Sequence, residues 1–173
     1  MIDIIRQIHD ADRAGLYYMA LFGTLTLPDI CAALESPDNR TSGPKYQAWY
    51  TKWVMQRFAL ITAEECYRYR CSVLHQGQGQ PEKKGRFDRI VFVEPIPKTP
   101  RPILNFPPMP TDDGKEVVQA IDLQLFMIEV THAAGNWLDA VKGTEPFETN
   151  AVGMLRCRPN YPLAFARGHS VIA

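Results

Sequence analysis

A chain of 173 residues with 46% apolar composition is long enough to build one core without help from metals or disulfides. Its 19 Lys and Arg balance 19 Asp and Glu, so no global positive field draws it to nucleic acid or to an anionic membrane, and any RNA contact has to be local. The four cysteines, Cys31, Cys66, Cys71 and Cys157, form no CxxC pair; this argues against a zinc site or a disulfide framework and for reduced thiols in the cytoplasm.

In chain order, Ile4, Ile5, Ile8, Ala11, Gly15, Tyr18, Met19 and Phe22 recur at three- and four-residue steps and predict a helix from Ile2 to about Gly23, bent at Gly15. The opening Met-Ile-Asp-Ile-Ile-Arg mixes charges with apolar residues, and no uncharged apolar run reaches about 18 residues, so neither a signal peptide nor a membrane span is expected. Pro28-Asp29 reads as a helix start, because proline at the first helical position lacks only an N–H that would be unpaired anyway. A short helix over Ile30–Glu35 follows, then a loop over Ser36–Pro44 built from turn-forming residues. Lys45–Met55 returns to helical spacing with Tyr46, Trp49, Tyr50, Trp53 and Val54 as an aromatic stripe, which reads as core, with a ligand platform as the alternative.

Thr62-Ala63-Glu64-Glu65 has the form of a capping box, so a helix starts there, runs through Cys66, Tyr69, Val73 and Leu74, and stops at Gly77. Gln78–Gly85 cannot continue it. Phe87–Glu94 is β-branched and aromatic and reads as a strand; after Pro95, Pro97, Pro100 and Pro102, Ile103–Phe106 reads as a weaker one. Leu123, Met127, Val130, Ala134, Trp137, Leu138 and Val141 give a long fourth main helix from about Glu116 to Lys142. The expected organisation is a single mainly α domain over residues 1–173: a bundle of four to five helices, a β or irregular insertion at about 86–115, and an irregular tail at 143–173.

Arg70 and His75 lie in the last two turns of the capped helix. Five positions place their backbones roughly 140° apart around the axis, yet arginine's long fork reaches a helix terminus and suits bidentate contact with phosphate. His75 sits near the negative end of the helix dipole, which favours its protonated form and suits it to acid–base work. Tyr67 and Arg68, one turn back, add an aromatic and a basic side chain of the kind that stacks a base or binds its phosphate; Tyr69 reads as core.

Arg70-Cys71-Ser72-Val73-Leu74-His75, followed by Gln76-Gly77, resembles the hallmark of the HEPN family: arginine, a polar residue, three further residues and histidine at the end of a helix, commonly followed by glycine. The resemblance covers about fifteen residues, and the order of helices around it suits a HEPN-like bundle. It implies a homodimer that brings two copies of the motif together and a ribonuclease that cuts RNA without a metal. Arg70 and His75 are then catalytic, Tyr67 and Arg68 bind substrate, and the partners are RNA, a second copy of the chain, and a protein antitoxin or regulator.

A different reading of the same residues stays open. Arg70 pairs with a neighbouring acid, His75 caps the last carbonyls, and the helix serves a non-catalytic module that dimerises or binds a nucleic acid or protein. Folding is expected to survive the loss of either His75 or Arg70, the latter on the premise that its head group faces an open cleft and not a buried acid. Cys71 is expected to stay reduced and to be no nucleophile. His9, His132 and His169 show no ligand-like spacing, so neither a metal nor a cofactor is expected. Phosphate-binding glycine loops and serine-elbow motifs are absent, which excludes the common nucleotidase and esterase designs.

Overall fold

The computed structural model describes residues 1–79, 85–95, 106–159, 162 and 169–172. The first predicted helix is in fact two. Helix α1 (Ile2–Arg13) ends before Gly15, whose φ of +73° turns the chain, and α2 (Tyr17–Leu34) starts afresh. A left-handed residue has no place inside a right-handed helix, so glycine breaks the helix where a bend was expected.

Helix α2 then runs on through Pro28, the expected helix start. An interior proline costs about 3 kcal/mol through a lost N–H bond and ring crowding. Against that, Leu25, Leu27, Cys31 and Leu34 are each no more than 4% exposed, and full burial of a large apolar side chain is worth about 1.5–3 kcal/mol. Tertiary burial overrides the local signal. Helix α2 is the one helix among the described residues long and apolar enough to cross a membrane; here it is the central element, touched by each of the other helices.

Helix α3 (Gly43–Trp53) is capped by Ser42, which accepts from the Lys45 N–H, and its stripe is core: Tyr46, Trp49, Tyr50 and Val54 are at most 1% exposed. Helix α4 (Ala63–Gln76) carries both halves of the predicted capping box and ends at Gly77 in the left-handed conformation, φ +66°. Strand β1 (Arg89–Val93) lies within the predicted one. The weaker strand expected over Ile103–Phe106 lies outside the described residues except for Phe106, which is not in a strand.

Two short strands follow, β2 (Met109–Pro110) and β3 (Val117–Asp122), and with β1 they form a sheet in the order β1–β3–β2, with β1 parallel and β2 antiparallel to β3. Residues 117–122 were expected to be helix. They begin with Val117-Val118, which suits a strand, and the helix proper, α5 (Leu123–Val141), starts only where the Asp122 side chain accepts from the Leu125 N–H. The sheet therefore reaches past the expected insertion boundary.

Part of the tail is integral to the core. In α6 (Phe147–Ala151) the Asn150 amide donates to the carbonyls of Leu34 and Ser36 at 2.9 and 2.8 Å, and Phe147 packs edge-on against Trp137. Strands β4 (Cys157–Pro159) and β5 (Ser170–Ile172) make an antiparallel pair. Among the described residues the architecture is six helices around one buried cluster, with a small sheet at its edge.

Candidate functional site

The capping box fixes where α4 begins, and that sets which residues share a face. Tyr67, Cys71 and His75 follow one another at four-residue steps, and Arg70 lies beside that row. Arg70 Nη1 and His75 Nε2 are 3.0 Å apart, so the arginine side chain closes the angular gap between their backbones. A guanidinium only donates hydrogen bonds, so Nε2 accepts and the ring proton sits on Nδ1.

On its other side Arg70 meets a residue that sequence reading took for a helix-start acid. Its Nε lies 2.6 Å from Asp29 Oδ2, with the two side chains only 17% and 11% exposed. The contact is ionic; neither atom makes an aligned hydrogen bond. Asp29 Oδ1 accepts from the Thr41 hydroxyl at 3.3 Å. Burial pushes the Asp29 carboxyl above its ordinary value, against the pull of the Arg70 charge, the Thr41 hydroxyl and His75. Burial disfavours the Arg70 charge, but Asp29 and Cys71 together outweigh it and hold the guanidinium above its ordinary value. The head group of Arg70 thus faces a buried acid and not the expected open cleft, which overturns the expectation that the chain folds as well without it.

Tyr67 stands at the edge of this cluster. Its ring is tilted against Tyr46 at 5.2 Å and lies against Gly43 in the first turn of α3, where a Cβ would come within 3.0 Å of it. Its hydroxyl is held above the ordinary phenol value, first by a hydrogen bond with the Cys71 thiol and then by burial. Arg68 does not join the cluster: two residues from Arg70, it is turned roughly 200° around the helix and pairs with Glu64. Of the expected site residues, Arg70, His75 and Tyr67 come together, Arg68 stays apart, and Asp29 and Thr41 are added.

Asp29 had a signal in the sequence. It is the one acid between Tyr17 and Leu34, and a lone carboxylate in an apolar helix needs a partner. The remaining cysteines of the core are inert: Cys66 shares a buried contact with the Tyr46 hydroxyl at 3.3 Å, and burial pushes its thiol up to about 12. No group of three or more His, Cys, Asp or Glu able to hold a metal occurs among the described residues.

The arrangement presents an exposed imidazole beside a guanidinium whose far side is anchored by a carboxylate. Such a pair can bind an anion and move a proton. Comparison of the chain with family models, curated proteins and solved structures finds no match.

Proposed function

We propose that this protein is a HEPN-like, metal-independent endoribonuclease, acting in the cytoplasm as a homodimer on RNA phosphodiesters. The observation that carries the proposal is the 3.0 Å contact between Arg70 and His75, two residues of a six-residue motif joined by geometry as well as by spacing. Asp29 holds the guanidinium from behind and sets its direction. An entering phosphate draws Nη1 away from His75, and the freed Nε2 takes the proton of the attacking 2′-hydroxyl as the arginine steadies the charge on phosphorus oxygens. The P–O5′ bond then breaks and the leaving oxygen takes up a proton, from the imidazolium or from water, which leaves a cyclic phosphate and a 5′-hydroxyl. A two-fold axis would double both groups at no extra sequence cost.

The non-catalytic reading has an observation of its own, the nearly buried Asp29–Arg70 pair, which by itself is what a structural arginine makes. Incubation with single-stranded and structured RNA, with and without chelator, separates the two. Chelator-resistant cutting should fall by about a hundredfold or more in His75→Ala and Arg70→Lys, the usual scale for an acid–base group or a charge-stabilising donor. The His75→Ala melting curve should match the parent's. Binding without cutting assigns the helix to a non-catalytic module; cutting that survives both substitutions removes the pair from the chemistry.

A further inference from the structure

Residues 35–42 join α2 to α3, and this loop is rooted at both ends. At its start the Ser36 hydroxyl donates to the Ala32 carbonyl at 2.6 Å, and the Ser36 carbonyl accepts from the Asn150 amide at 2.8 Å and from the Asn39 N–H at 3.0 Å. Asn39 turns the chain with φ at +50°, a left-handed conformation that asparagine tolerates better than most residues. At its end the Thr41 hydroxyl donates to Asp29 Oδ1 at 3.3 Å, and Gly43 lies against the Tyr67 ring. Residues 41–43 therefore follow the rim of the cluster formed by Asp29, Arg70, Tyr67 and His75. Arg40 stands one position before them.

The backbone of Arg40 is clamped from both sides. Its N–H donates to Asp38 Oδ1 at 3.2 Å, and its carbonyl accepts from Lys45 Nζ at 2.9 Å. Lys45 Nζ closes the ring by donating to Asp38 Oδ1 at 2.7 Å, and the Lys45 N–H is itself held by the Ser42 hydroxyl at 3.4 Å. The clamp neutralises its own two charges and leaves a third. The guanidinium of Arg40 is exposed and makes no hydrogen bond or ion pair with the described residues.

A loop fixed beforehand in its binding conformation spends less entropy when its ligand arrives. The local charge says what that ligand is. Asp29 is balanced by Arg70 and Asp38 by Lys45, so Arg40 is excess positive charge beside the imidazole, and a guanidinium suits bidentate contact with phosphate. An RNA strand that places one phosphate at Arg70 and His75 carries another on either side of it, spaced by a single nucleotide.

We infer that Arg40 is a second phosphate-binding residue, which holds the backbone phosphate adjacent to the one at Arg70 and His75 and so fits the site to an RNA strand. The inference rests on the ribonuclease reading in one respect: it takes the ligand of Arg70 and His75 to be an RNA phosphodiester. Arg40 binds and does no chemistry. Its contact is the same in the ground state and the transition state, so its loss raises KM and leaves kcat unchanged. A phosphate contact fixes the register of the strand and carries no base information.

The test uses the full chain and 2′-O-methyl RNA, which cannot form the cyclic phosphate and stays intact. For a mixed-sequence single strand, Arg40→Gln should reduce the slope of log affinity against log salt by about 0.7, the share of one phosphate contact. Arg40→Lys, which keeps the charge, should restore the slope. A trinucleotide with two phosphates should bind the parent about threefold more tightly than the same trinucleotide with either phosphate replaced by a neutral methylphosphonate. Arg40→Gln should erase that difference. An unchanged slope, a slope that Arg40→Lys fails to restore, or a methylphosphonate penalty that survives in Arg40→Gln overturns the inference. Capture of polyglutamate with the same dependence on Arg40, without RNA binding, assigns the residue to an acidic protein partner and also overturns it. Cleavage of unmodified RNA keeps the two readings apart. A parent that binds as expected but does not cut removes the ribonuclease reading and leaves the phosphate site standing, whereas cutting that needs Arg70 and His75 but shows no Arg40 effect on slope or KM removes the phosphate site alone.

Discussion

Two arginine–carboxylate pairs flank α4, and they differ in kind. At its start, Glu65 is held by Arg86 through Nε at 2.8 Å and Nη2 at 2.6 Å and accepts from the Thr62 N–H at 2.8 Å. Burial raises the Glu65 carboxyl, but these bonds outweigh it and leave the group below its ordinary value. Towards its end, Arg70 and Asp29 lie as close, at 2.6 Å, but without an aligned bond, and the Asp29 carboxyl stays raised. The first pair satisfies its carboxylate fully and closes a cap. The second leaves its carboxylate short of partners and its guanidinium shared with an exposed imidazole. The proposed anion site is built from the second kind of pair.

The largest effect that tests this contrast is on stability. Arg70→Ala strands a nearly buried carboxylate and should cost about 3–5 kcal/mol, whereas replacing both members, Arg70→Met with Asp29→Leu, should recover most of the loss. Arg86→Ala removes a charge that is half in water, 52% exposed, but leaves the Glu65 side chain, 10% exposed, held by the Thr62 N–H; it should cost less than Arg70→Ala, about 1–3 kcal/mol. Urea unfolding at neutral pH measures all three. Equal costs for the two single arginine variants would erase the distinction between the pairs.

A smaller effect separates cap from site. Thr62→Ala should cost about 1 kcal/mol, the usual loss for an N-cap side chain, since Thr62 accepts from the Glu65 N–H at 3.2 Å. His75→Ala, at the opposite end of the same helix, should stay within about 0.5 kcal/mol of the parent, as exposed positions do. Thermal unfolding of the two variants side by side shows whether His75 is part of the architecture.

The legible parts of the molecule are those where local chemistry and tertiary context agree. The box at Thr62–Glu65, the stop at Gly77 and the aromatic stripe from Tyr46 to Val54 stand where residue type and spacing place them. Gly15, Pro28, residues 117–122 and part of the tail are where the structure departs from the sequence reading, and the causes at Pro28 and at 117–122 are opposite. At Pro28 a strong local signal is overruled by the burial of α2 on several sides; at 117–122 a weak strand signal was absorbed into the long helical pattern of α5. Misplacing Pro28 also hid Asp29. An acid at a helix start needs only the dipole, whereas an acid in the middle of a buried helix demands a partner, and Arg70 is that partner. The six-residue motif was readable from the sequence because it is local; its anchor, forty-one positions earlier on a neighbouring helix, left only the signal of a lone acid among apolar residues, which does not say which arginine answers it.

The smallest and most specific expectation is that the two carboxylates pull the pH dependence of stability in opposite directions. Glu65, held below its ordinary value of 4.5, binds its proton more weakly in the native state than in the unfolded chain. Its contribution is therefore present above 4.5 and is lost as pH falls through the lower native value. Asp29 is raised above 3.8 and binds its proton more tightly when native. Its contribution is fully present below 3.8 and is lost as pH rises through the native value. Glu65→Gln should accordingly flatten the fall in stability below pH 4.5, and Asp29→Asn should steepen the rise in stability with pH just above 3.8, because a term that opposed it is gone. The slopes, not the absolute stabilities, carry the comparison, since each substitution also weakens an arginine contact. Chemical denaturation of parent and variants across the acid range gives those slopes. If Asp29→Asn instead flattens the profile as Glu65→Gln does, then Asp29 is a well-satisfied structural acid, and the guanidinium it holds is not poised to let go of His75.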